Sequence, residues 1–206
     1  MSAQPYLPVD FRRPRIVITG GPGGGKTTIA GVLRRQLADR LAVVPESATI
    51  LFSGGFPRSR EPRVVRAIQS AIFAVQRQLE EVHSLLEPAR AQVCDRGTLD
   101  GAAFWPDGLD SYLAAMGTDR ATEFARYHAV IFLRSAAHDG KRNYDTENPC
   151  RIETPAEACA LDDRLFEIWR HHPRFQVVRS EANFYEKVAA VLIAIDRYLD
   201  ETEAAR

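Results

Sequence analysis

The run Gly20-Gly21-Pro22-Gly23-Gly24-Gly25-Lys26-Thr27 follows the apolar stretch Arg15-Ile16-Val17-Ile18-Thr19 and leads into a helical pattern from Thr28 to Leu41. Strand, glycine loop and helix in that order are the context of a phosphate-binding P-loop. Backbone N–H groups must converge on phosphate oxygens without side chains in the way, and the following helix adds the partial positive charge of its N-terminus. Lys26 supplies a point charge for the β- and γ-phosphates and Thr27 a hydroxyl for Mg²⁺, with Gly21, Pro22, Gly23, Gly24, Gly25 and Thr28 completing the cradle. Only three of the 27 basic residues are lysine, so a chain that otherwise chooses arginine uses lysine where a compact ammonium matters. The ligand expected is ATP or GTP with Mg²⁺.

At 206 residues the chain suits one domain with a full core and room for a small lid. Residues 1–14 read as an N-terminal extension, 15–206 as a single P-loop domain, and about 138–171 as the lid. Formal net charge is zero, which argues against bulk attraction to nucleic acid or anionic membrane. Cys94, Cys150 and Cys159 form no CxxC pair, so neither a disulfide framework nor a zinc site is expected. With no apolar leader pattern and no long apolar run, the expectation is a cytoplasmic protein without a membrane span.

Short apolar runs alternate with helical patterns: strands at 15–19, 42–45, 91–94, 129–134 and 175–179, and helices at 26–40, 63–87, 98–104, 110–117, 119–127, 155–171 and 184–200. Such alternation predicts an α/β fold, a three-layer P-loop kinase-like arrangement with a five-stranded parallel sheet and a small lid. Ile68, Ile72, Val75, Leu79, Val82 and Leu86 form the expected buried stripe of the long helix, with Gln69, Gln76 and His83 on a polar line beside it. Either glutamine is a weak candidate for substrate contact. Thr154-Pro155-Ala156-Glu157 reads as a capping box, and Asn183 with Glu186 repeats it.

Ligands of open α/β sheets sit beyond the carboxyl ends of the strands, which brings Glu46 and the pair Asp95-Arg96 forward. Asp95 is either a metal-organising acid beside Thr27 or the base for a substrate hydroxyl; in the first case Glu46 is free to be the base. Arg96 is placed to stabilise the transferred phosphoryl group or hold an anionic acceptor. Lys141, Arg142 and Arg151 suit a basic flap that neutralises the transferring group, and a solvated charged loop is the plainer alternative. Arg58, Arg60, Arg63 and Arg66 either clamp an anion or begin the long helix.

With Gly-Gly-Pro-Gly-Gly-Gly-Lys-Thr-Thr, Val-Pro-Glu-Ser-Ala, the glutamine-bearing helix, Cys-Asp-Arg-Gly and Arg-Ile-Glu-Thr-Pro-Ala-Glu-Ala in this order, the chain from about Arg15 to Arg179 resembles AAA_28-type P-loop proteins. That group is similar to the ribosylnicotinamide kinase domain of NadR-like proteins and to Ttd14-like nucleotide-binding proteins. The resemblance implies a nucleoside-kinase-like fold, with Glu46 and Asp95 at the reacting end and arginines around 142–151 in a lid. An attached adenylyltransferase or DNA-binding domain is not expected, nor is an AAA+ motor, since the third strand ends Cys-Asp-Arg.

Two functions stand against each other on the sequence. The first is an ATP-dependent small-molecule kinase acting on a hydroxyl of a nucleoside-like acceptor, with Lys26, Glu46, Asp95, Arg96, Arg142 and Arg151 as its chemistry. The second is a GTP- or ATP-dependent binding protein with slow hydrolysis, recognising a phosphorylated lipid or a protein partner. A nucleic-acid kinase would use the Arg58 to Arg66 cluster, but net neutrality gives it little support.

Overall fold

A computed structural model describes residues 14–88, 90–139, 154–179 and 184–204. Five strands, β1 (Arg15–Thr19), β2 (Leu41–Val44), β3 (Ala91–Asp95), β4 (Ala129–Leu133) and β5 (Phe175–Val178), form one sheet in the order β2-β3-β1-β4-β5. Every pairing is parallel, and Ile18 lies beside Asp95 on one flank and Ile131 on the other. Strands buried on both faces need apolar residues throughout, which is why these runs do not alternate with polar ones.

Successive side chains of β1 point to opposite faces and so into two cores. Ile16 and Ile18 pack with Ile29 and Leu33 of α1 (Lys26–Gln36) and with Val191 and Ile195 of α7 (Phe184–Ala204). Val17 packs with Phe73 of α3 (Pro62–Leu86), Tyr112 of α4 (Gly108–Met116), and Leu165 and Trp169 of α6 (Pro155–Trp169). Helices thus cover both sides of the sheet. Two further helices, α2 (Ser47–Ser53) and α5 (Arg120–Ala125), and 3-10 turns over Thr98–Ala103 and Ala136–Asp139 complete the described connections.

The expected fold is present, with local corrections. The first helix stops at Gln36, and Arg40 beyond it is drawn to Asp196 and Asp200 of α7 at 3.0 and 2.9 Å. α2 was not anticipated. On α3 the buried line is Ile68, Gln69, Phe73, Gln76 and Glu80, whereas Val82 and Leu86 of the expected stripe are exposed. The face is rotated because Glu80, with no exposed surface, is compensated from other elements: Arg15 lies 3.2 Å away, and Arg126 and the Tyr127 hydroxyl also reach it. His83 Nδ1 faces Glu87 at 3.7 Å, an i,i+4 pair that is part-buried.

The capping box at Thr154 forms as read, with the Glu157 amide donating to Thr154 Oγ1 at 3.2 Å and the Thr154 amide donating to Glu157 Oε2 at 2.9 Å. Asn183 lies outside the described residues. So does most of the proposed flap, whereas α6, the second half of the span read as a lid, buries Leu161, Leu165 and Trp169 in the core.

Candidate functional site

The chain leaves β1 at Gly20, whose φ is 136°, and a Cβ there would lie 2.1 Å from the Leu133 carbonyl oxygen of β4. Glycine is the residue that lets the loop lie this close to the sheet. At the loop's far end Gly25, with φ 86°, occupies the N-cap position of α1 and offers no side-chain acceptor; the first turn holds no acid either. By contrast, the helices α3, α5 and α6 are capped by Glu61, Asp119 and Thr154. The first amides and the positive end of α1 are therefore left for an anion from outside the chain.

Three elements pin this loop. The Gly21 amide donates to Asp162 Oδ1 of α6 at 2.6 Å, the Ser135 hydroxyl donates to the Pro22 carbonyl, and Lys26 Nζ donates to the carbonyls of Gly20 and Gly21 at 2.8 and 2.7 Å. Burial, and then the Arg96 guanidinium, lower the Lys26 ammonium to a pKa of about 7, against the pull of Asp95, Glu46 and Asp100. Thr27 and Thr28 stand on the exposed side of the helix start.

Glu46, Asp95 and Arg96 converge on this loop from the ends of β2 and β3. Arg96 Nε donates to Glu46 Oε1 at 3.1 Å, and its Nη1 donates to the Gly20 carbonyl at 3.0 Å and to Asp100 Oδ2 at 3.3 Å. Glu46 also accepts from the Thr49 hydroxyl at 2.5 Å. Burial would raise the Glu46 carboxyl, but Arg96, the Thr49 hydroxyl and Lys26 hold it below the usual carboxylate range. Asp95 is buried yet has no side-chain hydrogen bond among the described residues. Burial and the neighbouring Glu46 charge raise its pKa. A bare carboxylate beside a lysine and an exposed threonine hydroxyl offers hard oxygen donors of the kind Mg²⁺ takes.

The sequence reading brought Lys26, the loop, Glu46, Asp95 and Arg96 to one place, and the structure assembles them. It missed the residues that hold them. Asp100 accepts from the Thr19 hydroxyl at 2.7 Å and from Trp169 Nε1 at 2.8 Å as well as from Arg96. Asp162 lies on the apolar line Ala158, Leu161, Leu165, Trp169 of α6, and a charge on such a line was the available signal. Arg142, Arg151 and Lys141 lie outside the described residues. Three of the four arginines from Arg58 to Arg66 have partners of their own: Arg58 stacks 4.3 Å over Phe52, Arg60 pairs with Glu157 at 3.1 Å, and Arg66 with Asp107 at 2.5 Å. Gln69 and Gln76 face the interior, not a cleft. His138, Asp162 and Asp163 bring their ligand atoms within 4.8 Å of one another, but Arg134, 3.1 Å from Asp162 and 2.8 Å from Asp163, already supplies the opposing charge. No described helix is long and apolar enough to cross a membrane.

Compared with known families, the chain matches the model of AAA_28, an AAA domain, over residues 15–187. No curated protein matches it. The chain belongs to the AAA_28 family and carries its P-loop nucleotide-binding domain.

Proposed function

We propose that this protein is a kinase that moves the γ-phosphate of ATP, or of GTP, to a hydroxyl group of a small nucleoside-like acceptor. The observation that carries the reading is Asp95: a buried carboxylate with a raised pKa and no bonded partner, beside the lysine of a phosphate loop. A residue that only supported the fold would be expected to spend its charge on a neighbour, as Asp100 and Asp162 do.

The triphosphate lies against the loop from Gly21 to Thr28, its β/γ-oxygens meeting the α1 amides and Lys26, which trades its two carbonyl acceptors for phosphate. Bound Mg²⁺, held through the Thr27 hydroxyl, would neutralise phosphate charge. The acceptor oxygen bonds to the γ-phosphorus as the bond from phosphorus to the β-bridging oxygen breaks; the nucleoside diphosphate leaves, and the acceptor's proton goes to a carboxylate. Asp95 is the better proton acceptor of the two, because Glu46 is already engaged by Arg96 and Thr49. Arg96 completes the site by facing the developing charge, and Arg142 and Arg151 are proposed to close over the phosphates from the basic segment. The free thiols Cys94 and Cys159 suit a reducing cytoplasm.

The test presents ATP and GTP with a panel of nucleosides, nucleotides and vitamins, reading diphosphate release and phosphorylated product together. An acceptor that accelerates release and carries the phosphate supports a kinase. Tight nucleotide binding with no acceleration by any acceptor would favour a nucleotide-dependent binding protein instead.

A further inference from the structure

Arg96 is the one non-glycine residue with a positive φ, 83°, among the described residues. An arginine pays a steric cost in that conformation, and it persists where neighbours over-determine it. Its amide donates to the Ile18 carbonyl at 3.0 Å, and its own carbonyl accepts from Gln76 Nε2 at 3.2 Å. Gly97 follows, and a Cβ there would meet the Trp169 ring at 2.7 Å, so the backbone here lies close against that ring.

Gln76 sits mid-way along α3 and is 1 % exposed. The same amide nitrogen donates to Glu80 Oε1 at 3.2 Å. Both neighbours are acceptors, so the NH₂ group must face them, and Gln76 Oε1 is left buried without a partner. A buried amide that forgoes half of its bonding is unfavourable for the fold by itself. Glu80 in turn is fixed by Arg15, Arg126 and the Tyr127 hydroxyl, so the amide is anchored at one end to a rigid ionic cluster.

We infer that Gln76 is a positioning residue for Arg96: it holds the left-handed Arg96 peptide so that the guanidinium reaches Glu46, the Gly20 carbonyl and Asp100 together. That this serves phosphoryl transfer rests on the kinase reading above; the hold on Arg96 does not.

Gln76→Met keeps the length of the side chain and removes both donors. The Arg96 Nε–H resonance, identified by its loss in Arg96→Ala, reports the position directly. In Gln76→Met it is expected to move to the place of a solvated arginine and to exchange with water at least about tenfold faster. Gln76→Glu, which sets an acceptor against two acceptors, should displace the same resonance. An unchanged Arg96 signal in either folded variant overturns the inference, as does failure of both variants to fold, which would make Gln76 a determinant of the fold alone. If the signal moves and no acceptor is ever phosphorylated, the positioning stands and the kinase reading falls.

Discussion

The Gly21 amide donates to Asp162 Oδ1 over 2.6 Å, joining the phosphate loop to a helix 141 residues further along the chain. The same oxygen accepts from the Ser135 amide at 3.2 Å, and Oδ2 faces Arg134 and His138, each at 3.1 Å. One fully buried carboxylate therefore sets the loop, the end of β4 and α6 relative to one another.

Replacing it by leucine leaves two backbone donors without their acceptor, while Arg134 keeps Asp163 at 2.8 Å. Asp162→Leu should lose about 2–5 kcal/mol of stability, the cost of leaving two buried backbone donors unpaired. Asp162→Asn, which still offers Gly21 an oxygen, should lose less. Urea unfolding measures both, and equal midpoints for the leucine variant and the parent would show that the loop stands without α6.

Lys26 gives a pH signature. Its pKa is lowered to about 7 by burial and Arg96, while bound phosphate oxygens would raise it. Protons are therefore taken up on binding wherever the bound lysine is charged and the free one is not, which begins around pH 7 and extends upward. Triphosphate affinity should fall as pH rises beyond that point, by up to about tenfold per unit, with uptake of about half a proton at pH 7. Lys26→Arg, charged throughout, should lack this dependence, and Lys26→Ala should bind triphosphate weakly at every pH. Calorimetry in two buffers of different ionisation enthalpy reads the uptake; equal values for the parent and Lys26→Arg would count against a partly neutral lysine.

Which parts of this site were legible in the chain follows from the range of the interactions. The loop, strand ends and Thr154 cap are specified within a few residues, so glycine spacing, apolar runs and capping signals reveal them. Glu80, Asp100 and Asp162 owe their roles to partners more distant in sequence, such as Arg15, Trp169 and Gly21, and their burial depends on compensation that no local pattern encodes. That is also why the buried face of α3 includes Gln76 and Glu80 and leaves Leu86 exposed. α2 is a seven-residue helix without a side-chain cap, short enough to escape a periodicity argument.

Gly25 serves two neighbours. Its φ of 86° costs any other residue about 1–2 kcal/mol, and a Cβ would lie 2.6 Å from Phe184 Cε2. Gly25→Ala should therefore lose stability and displace the Phe184 ring. Adding Phe184→Ala should recover the clash but not the backbone cost, so the double variant should remain less stable than Phe184→Ala alone. Thermal melts of the four proteins decide it; strictly additive losses would mean that the ring gives way freely.

Asp95 and Glu46, neighbours in space, should respond to neutralisation with opposite signs. The Asp95 carboxyl is raised by burial and by Glu46, so the native state holds its proton more tightly than the unfolded chain. Its charge then costs stability once pH rises above the ordinary aspartate range, and Asp95→Asn should stabilise the nucleotide-free protein at pH 7, with the gain vanishing near pH 3. Glu46 is the reverse: burial is outweighed by Arg96, the Thr49 hydroxyl and Lys26, and its pKa is lowered. It contributes stability above the ordinary glutamate range that is lost as pH falls through the native value, so Glu46→Gln should lower the melting temperature at pH 7 and matter little in acid. Once an acceptor is known, each substitution should also cut turnover, by about 10² for a lost proton acceptor. A variant more stable at neutral pH yet nearly inactive is the behaviour of a group kept for chemistry at the expense of the fold. If Asp95→Asn instead melts below the parent at pH 7, its carboxylate is a structural anchor and the proposed base must be sought elsewhere.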